Sequence, residues 1–162
     1  MAEFDIKEKL RKFLRGAKKI AILCIGNPLR GDDGVGIYIG EKLKGRVNNA
    51  TIFLGYNAPE SVLFKIIDGD YSHVVIIDSG FIGEKAGDIR ITDEDQLPDD
   101  IITTHYFSPG LLVKMLEEYG KKVLIITIHP KRIDFIEGLS NIVKNAANNL
   151  IAVIEEVLSE VK

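Results

Sequence analysis

The chain has 162 residues, which is enough for one domain to bury a hydrophobic core without disulfides or structural metals. A net charge of −3 offers no basic surface for nucleic acid and no polybasic patch for a membrane. A single cysteine excludes an intramolecular disulfide, and no apolar run approaches the ~20 residues that span a bilayer. We therefore expect a single cytoplasmic domain over residues 1–162.

The spacing of apolar residues predicts helices that alternate with strands. Residues 4–16 fit an amphipathic helix, so we divide the domain into an N-terminal helix within 1–17 and a core over 18–162. The predicted strands are residues 18–25, 50–54, 72–78, 87–92 and 121–128, and the later helices are residues 33–44, 61–67, 108–116 and 139–160.

Most of the predicted strands are continuous apolar runs, which is typical of strands buried on both faces of a parallel sheet. Segment 87–92 instead alternates apolar and polar residues, and we expect it to be the one antiparallel strand. The helices between the strands would cover both faces of the sheet. The sequence thus predicts an α/β fold, a three-layer α/β/α sandwich with a mostly parallel central sheet.

The loop after the first predicted strand, residues 26–36, places two adjacent carboxylates where a helix should begin. Glycine-rich loops at such positions usually bind phosphate, but Asp32 and Asp33 would repel an anion. The loop therefore fits a cation or an activated water. Asp33 is also explained as a helix N-cap, although one carboxylate satisfies that need and the second is then spare. Cys24, inside the preceding apolar run, reads as a buried and inert thiol.

In open α/β sheets, sites lie beyond the carboxyl ends of the strands. Asp78 ends the third predicted strand, although Asp-Ser-Gly is also good turn chemistry, and His129 ends the last strand. His105 precedes a helix and can reach the same edge, whereas His73 precedes its strand and belongs at the opposite end. Asp33, Asp78 and His105 together would suit a divalent first-row metal.

Residues 26–36, Gly-Asn-Pro-Leu-Arg-Gly-Asp-Asp-Gly-Val-Gly, resemble the opening motif of the [NiFe]-hydrogenase maturation endopeptidases. Further blocks agree in order and spacing at residues 55–61, 78–89, 103–111, 128–130 and 138–140. The resemblance runs from residue 18 to the end of the chain. It implies the three-layer fold and an aspartic-type endopeptidase that removes a short C-terminal extension from the hydrogenase large-subunit precursor after nickel insertion.

The family's metal-contacting positions fall on Asp33, Asp78 and His105. The resemblance implies that the metal is the nickel already carried by the precursor, so that the protease recognises a mature substrate by sharing the ligands of its metal. Asp32 or Asp33 could act as the general base on a water, or the metal could polarise the peptide carbonyl. Asn27 is expected to hold the loop rather than to contact the substrate.

Two positions depart from the family pattern. Many members carry a second acid shortly after the position of Asp78, where this chain has Ser79, Gly80 and Phe81. His129 stands where glutamine is common. These departures leave the three metal-contacting residues in place and affect the contacts around them.

Two other functions stay open at this point. A peptidyl-tRNA hydrolase also begins with a strand and a Gly-Asn-Pro turn, but it needs a histidine soon after the motif, and none lies between Gly26 and Tyr71. A non-catalytic, metal-dependent checkpoint or chaperone that binds the hydrogenase large subunit would use the same three ligands. Retained binding without cleavage would identify it.

Overall fold

The strands of the protein follow its apolar runs and the helices follow its amphipathic segments. The structure, a computed structural model, describes residues 3–82, 85–92 and 109–161. The strands are β1 (Ile20–Ile25), β2 (Ala50–Tyr56), β3 (His73–Ser79), β4 (Ile89–Thr92) and β5 (Lys122–Ile128), and the helices are α1 (Glu3–Leu14), α2 (Val35–Leu43), α3 (Glu60–Asp68), α4 (Pro109–Glu118) and α5 (Asn141–Glu160).

The strands form one sheet in the order β2-β1-β3-β5-β4. The pairs β1–β2, β1–β3 and β3–β5 are parallel, and β4 runs antiparallel to β5 with Ile89 opposite Ile128. The predicted fold class is therefore confirmed, including segment 87–92 as the source of the antiparallel strand. This strand lies at the sheet edge, where a side chain can face water.

Helices cover both faces of the sheet because successive strand residues point to opposite sides. Ile22 and Cys24 of β1 join the core beneath α1, α2 and α5, whereas Leu23 and Ile25 join the core beneath α3 and α4. Every residue of β1 and of β3 is buried. Strands β1 and β3 are thus covered on both faces, as their apolar runs predicted.

Helix α1 is part of this packing. Its buried residues Ile6, Leu10 and Leu14 belong to the same core cluster as α5. The Arg11 side chain donates two exposed hydrogen bonds to the Glu160 carboxylate, from Nε at 2.7 Å and from Nη2 at 2.9 Å. No helix in the described part of the chain is long and apolar enough to cross a membrane.

The start of α2 lies directly over the carboxyl ends of the two central strands. A Cβ atom at Gly36 would come within 2.3 Å of the Ile25 carbonyl oxygen and 2.7 Å of the Ile77 carbonyl oxygen. Only glycine permits this approach. The close packing places the loop before α2 above the ends of β1 and β3.

Candidate active site

The sheet has a crevice between the carboxyl ends of β1 and β3. From β1 the chain continues to β2 on one side, and β3 then pairs with β1 on the other side. Such a reversal of strand order is where open α/β sheets bind their ligands. The loop at residues 26–34 leaves β1 at this crevice, and Asp78 and Ser79 end β3 there.

The loop is folded tightly against its own backbone. Gly26 has a φ of +148°, and a Cβ atom there would come within 2.1 Å of the Asp33 carbonyl oxygen. The backbone N–H of Asn27 donates to that same oxygen at 3.2 Å, and the Asn27 side-chain oxygen accepts the Leu29 N–H at 3.0 Å. These contacts fit the predicted role of Asn27 in holding the loop.

Asp33 points back toward the sheet. Its side chain is buried at 2% exposure, its Oδ1 atom accepts the Ser79 hydroxyl at 2.8 Å, and its Oδ2 atom accepts the Asn27 N–H at 3.2 Å. The N-cap position of α2 is Gly34, with no side-chain cap, because residues Gly31–Gly34 form a 3-10 turn first. The helix-cap explanation of Asp33 is therefore wrong.

Asp78 lies next to this contact at the end of β3. It is 5% exposed, and its Oδ1 atom accepts the backbone N–H of Ser79 at 2.7 Å. Ser79 thus donates its hydroxyl to Asp33 and its N–H to Asp78. Ser79 therefore connects the two predicted carboxylates. The sequence analysis did not assign Ser79 to the site, although its hydroxyl lies next to the candidate ligand Asp78 in the sequence.

The charge of Asp78 also affects the strand beside it. Burial raises the pKa of the Cys24 thiol to about 12, with a smaller contribution from the negative charge of Asp78. The thiol is free, buried and protonated at neutral pH, so it cannot act as a nucleophile. This agrees with the expectation of an inert thiol.

Asp32 has a different set of partners from its neighbour. Its fully buried side chain accepts the N–H of Ser140 on Oδ1, and it accepts the Ser140 hydroxyl and the N–H groups of Lys131 and Arg132 on Oδ2. These distances lie between 2.7 and 3.2 Å. Both oxygens of Asp32 therefore hold the segment between β5 and α5, and Ser140 is a contact that local sequence patterns did not indicate.

The three histidines were predicted to lie at different positions relative to the crevice. His73 begins β3, at the end of the sheet opposite the crevice, as predicted. His129 directly follows β5 at the crevice edge, where its ring meets that of Phe81 edge to face at 5.5 Å. The two departures from the family pattern are therefore in contact. His105, the third predicted metal ligand, lies outside the described residues.

Two of the three predicted metal ligands, Asp33 and Asp78, lie among the described residues. Among residues 3–82, 85–92 and 109–161, no group of three or more acidic, histidine or cysteine side chains is close enough to hold a metal. Asp33 and Asp78 supply two buried carboxylates, and oxygen donors of this kind suit divalent ions. The ligand set expected from the sequence needs His105 in addition.

Comparisons with known proteins agree with the fold and with the family resemblance. Residues 37–157 match the family model of the hydrogenase maturation proteases, HycI. A protein of Methanocaldococcus jannaschii, described as a hydrogenase maturation protease, is 30% identical over 167 residues, covering 97% of this chain and 98% of its own. Hydrogenase 3 maturation protease of Escherichia coli K12 is 29% identical over 131 residues, covering 80% of this chain and 84% of its own.

A solved structure extends the agreement to the backbone. The crystal structure of the [NiFe] hydrogenase maturation protease HycI from Thermococcus kodakarensis superposes with a TM-score of 0.85 at 28% identity. The superposition covers 93% of this chain and 99% of that one. This chain belongs to the hydrogenase maturation protease family.

Proposed function

We propose that the protein is a cytoplasmic endopeptidase that removes the C-terminal extension of a [NiFe]-hydrogenase large-subunit precursor after nickel insertion. Family membership supports a peptidase acting in hydrogenase maturation. The observation that carries the proposal is the pair of buried carboxylates, Asp33 and Asp78, joined through Ser79 at the crevice of the sheet. Substrate sites of open α/β sheets occupy this position.

In this proposal the nickel ion belongs to the substrate. Asp33, Asp78 and His105 would bind the ion that the precursor already carries, and two carboxylates with one imidazole form a suitable donor set. Burying carboxylates is costly unless a cation or hydrogen bonds compensate for the lost hydration. A nickel-free precursor lacks this compensating cation, so it should bind weakly and escape cleavage.

Cleavage of a peptide bond requires a water that loses a proton, attacks the carbonyl carbon and breaks the C–N bond, while the leaving amine gains a proton. We infer that Asp33 rather than Asp32 accepts the proton of the water. The reason is position: the four hydrogen bonds of Asp32 hold residues 131, 132 and 140, whereas Asp33 is bonded to Ser79 beside Asp78 at the crevice. Nickel in the bound precursor would polarise the peptide carbonyl.

The proposal is tested by incubating the purified protein with nickel-loaded and nickel-free precursor and measuring intact mass. Loss of the extension only from the nickel-loaded precursor is the expected result. Equal cleavage of both precursors would contradict the recognition of nickel. A stable complex with no change in mass would instead identify the non-catalytic checkpoint.

The residues are tested one at a time with Asp33→Asn, Asp78→Asn and His105→Ala. Each variant should lose at least about a hundredfold in cleavage rate, the loss typical of removing a catalytic group. Asp70→Asn is the matched control, because Asp70 is an exposed carboxylate just before β3, at the far end of the sheet. Normal cleavage by the Asp33 and Asp78 variants would contradict the assignment.

A further inference from the structure

We propose that Ser79 is the positioning residue of this site, fixing the carboxylate of Asp33 relative to that of Asp78. The inference rests on the proposed function, because it assumes that both carboxylates act together on the precursor. It adds a residue that the sequence analysis did not assign to the site, and this residue acts through Asp33 rather than on the reacting atoms.

The geometry of Ser79 is specific. Its side chain is 6% exposed, its hydroxyl donates to Asp33 Oδ1 at 2.8 Å, and its backbone N–H donates to Asp78 Oδ1 at 2.7 Å. Asp33 and Ser79 lie 46 positions apart in the chain. The hydroxyl therefore connects a carboxylate on the β1–α2 loop with the strand that carries the other carboxylate.

The two ends of this connection belong to different parts of the fold. Ser79 belongs to β3, a central strand held between β1 and β5, and it lies opposite Ile128 in the β3–β5 register. Asp33 lies in the 3-10 turn Gly31–Gly34, and its Oδ2 atom accepts the backbone N–H of Asn27 from the same loop. The Ser79 hydroxyl therefore ties the Asp33 carboxylate to the sheet in addition to its contact within the loop.

Such a link matters because two ligands of one ion must keep their separation within about 0.5 Å. Partners that orient metal ligands typically change metal affinity or activity by about 10–100-fold when they are removed. Loss of the Ser79 hydroxyl should leave Asp78 in place, since Asp78 accepts a backbone N–H. It should remove a hydrogen bond that ties Asp33 to the strand.

The test compares Ser79→Ala, Ser79→Cys and Ser79→Thr in the full chain. Alanine removes the hydroxyl, cysteine keeps the volume with a weak donor, and threonine keeps a hydroxyl. Ser72→Ala is the matched control, because it removes another hydroxyl that is bonded to backbone N–H groups, at the far end of β3. The measurements are the affinity for Ni²⁺ alone by calorimetry, kcat and KM on nickel-loaded precursor, and the melting temperature.

We expect Ser79→Ala to lower kcat/KM by about tenfold or more and to weaken Ni²⁺ binding, and Ser79→Thr to restore both. The melting temperature of Ser79→Ala should fall no further than that of Ser72→Ala. Should the alanine variant not fold, the cysteine variant carries the same comparison. Unchanged kcat/KM, or losses that follow the melting temperature and that threonine does not restore, would overturn the inference.

This outcome is separable from the fate of the proposed function. An inactive Asp33→Asn variant beside a fully active Ser79→Ala variant would overturn the positioning role only. Full activity of Asp33→Asn would overturn both.

Discussion

Asp32 accepts two hydrogen bonds from Ser140, one from the backbone N–H and one from the hydroxyl, each at 2.7 Å. The two residues lie 108 positions apart, and Ser140 immediately precedes α5. With the N–H groups of Lys131 and Arg132 as further donors, one buried carboxylate fixes both ends of the segment between β5 and α5. The adjacent carboxylates of the motif thus have separate tasks.

Asp32→Asn is expected to destabilise the protein by about 2–4 kcal/mol, because an amide cannot replace the charged acceptor of four hydrogen bonds, two of them buried. Urea denaturation measures the change. Asp70→Asn, at an exposed position, should stay within about 0.5 kcal/mol of the wild type. A fully stable Asp32→Asn variant that no longer cleaves precursor would return the general-base role to Asp32.

Gly36→Ala is expected to destabilise the protein by about 3 kcal/mol or more, the upper end of overpacking costs. The added methyl group would overlap the carbonyl oxygens of Ile25 and Ile77, which belong to the two central strands and cannot move apart cheaply. Gly45→Ala is the control, since no atom lies within 4 Å of its Cβ position. Equal stability of the two variants by urea denaturation would show that α2 does not pack on the strand ends as described.

The sequence predicted the elements because continuous apolar runs and amphipathic repeats are local patterns. Two helices begin two residues later than predicted, because of contacts with segments distant in the sequence. Helix α2 begins at Val35 rather than residue 33, because Asp33 bonds to Asn27 and Ser79 instead of capping the helix. Helix α5 begins at Asn141 rather than residue 139, following the Ser140 contact with Asp32.

In the candidate site, too, some features follow from local sequence patterns and others depend on contacts between distant segments. The rule that sites lie at the carboxyl ends of strands placed Asp33 and Asp78 at one edge, and Ser79 connects them there. Ser79 adjoins Asp78 in the sequence, but its pairing with Asp33 joins segments 46 positions apart, and local patterns do not indicate such a pair. The position of His105 relative to these carboxylates stays a prediction.

The Cys24 thiol should resist alkylation in the folded protein at pH 8, because burial and the charge of Asp78 raise its pKa to about 12. Its raised folded pKa also stabilises the protein below the unfolded pKa of about 9, and this contribution is lost as the pH rises from about 9 toward 12. Labelling with iodoacetamide, with and without urea, measures the exposure. Rapid labelling without urea would contradict the buried, protonated thiol.

His73 should make the protein less stable in mild acid. Burial, followed by the positive charge of Lys122, lowers the pKa of His73 below its ordinary value of 6.5. The ring packs on Phe13 at 5.2 Å, its Nδ1 atom lies 2.8 Å from the Ser72 hydroxyl, and its buried Nε2 atom has no hydrogen-bond partner among the described residues. A doubly protonated ring would therefore carry an Nε2–H that has no acceptor among the described residues.

The sign of the effect follows from the two states. Below pH 6.5 the unfolded chain binds a proton at His73 that the folded chain resists, so the stability present above pH 6.5 is lost as the pH falls through the lowered folded value. His73→Leu should reduce the difference in unfolding free energy between pH 7.5 and pH 5, and Lys122→Met should reduce it less, because it removes only the smaller cause. Urea titrations of the three proteins at both pH values measure these differences, and an unchanged difference in His73→Leu would assign the acid sensitivity to the carboxylates.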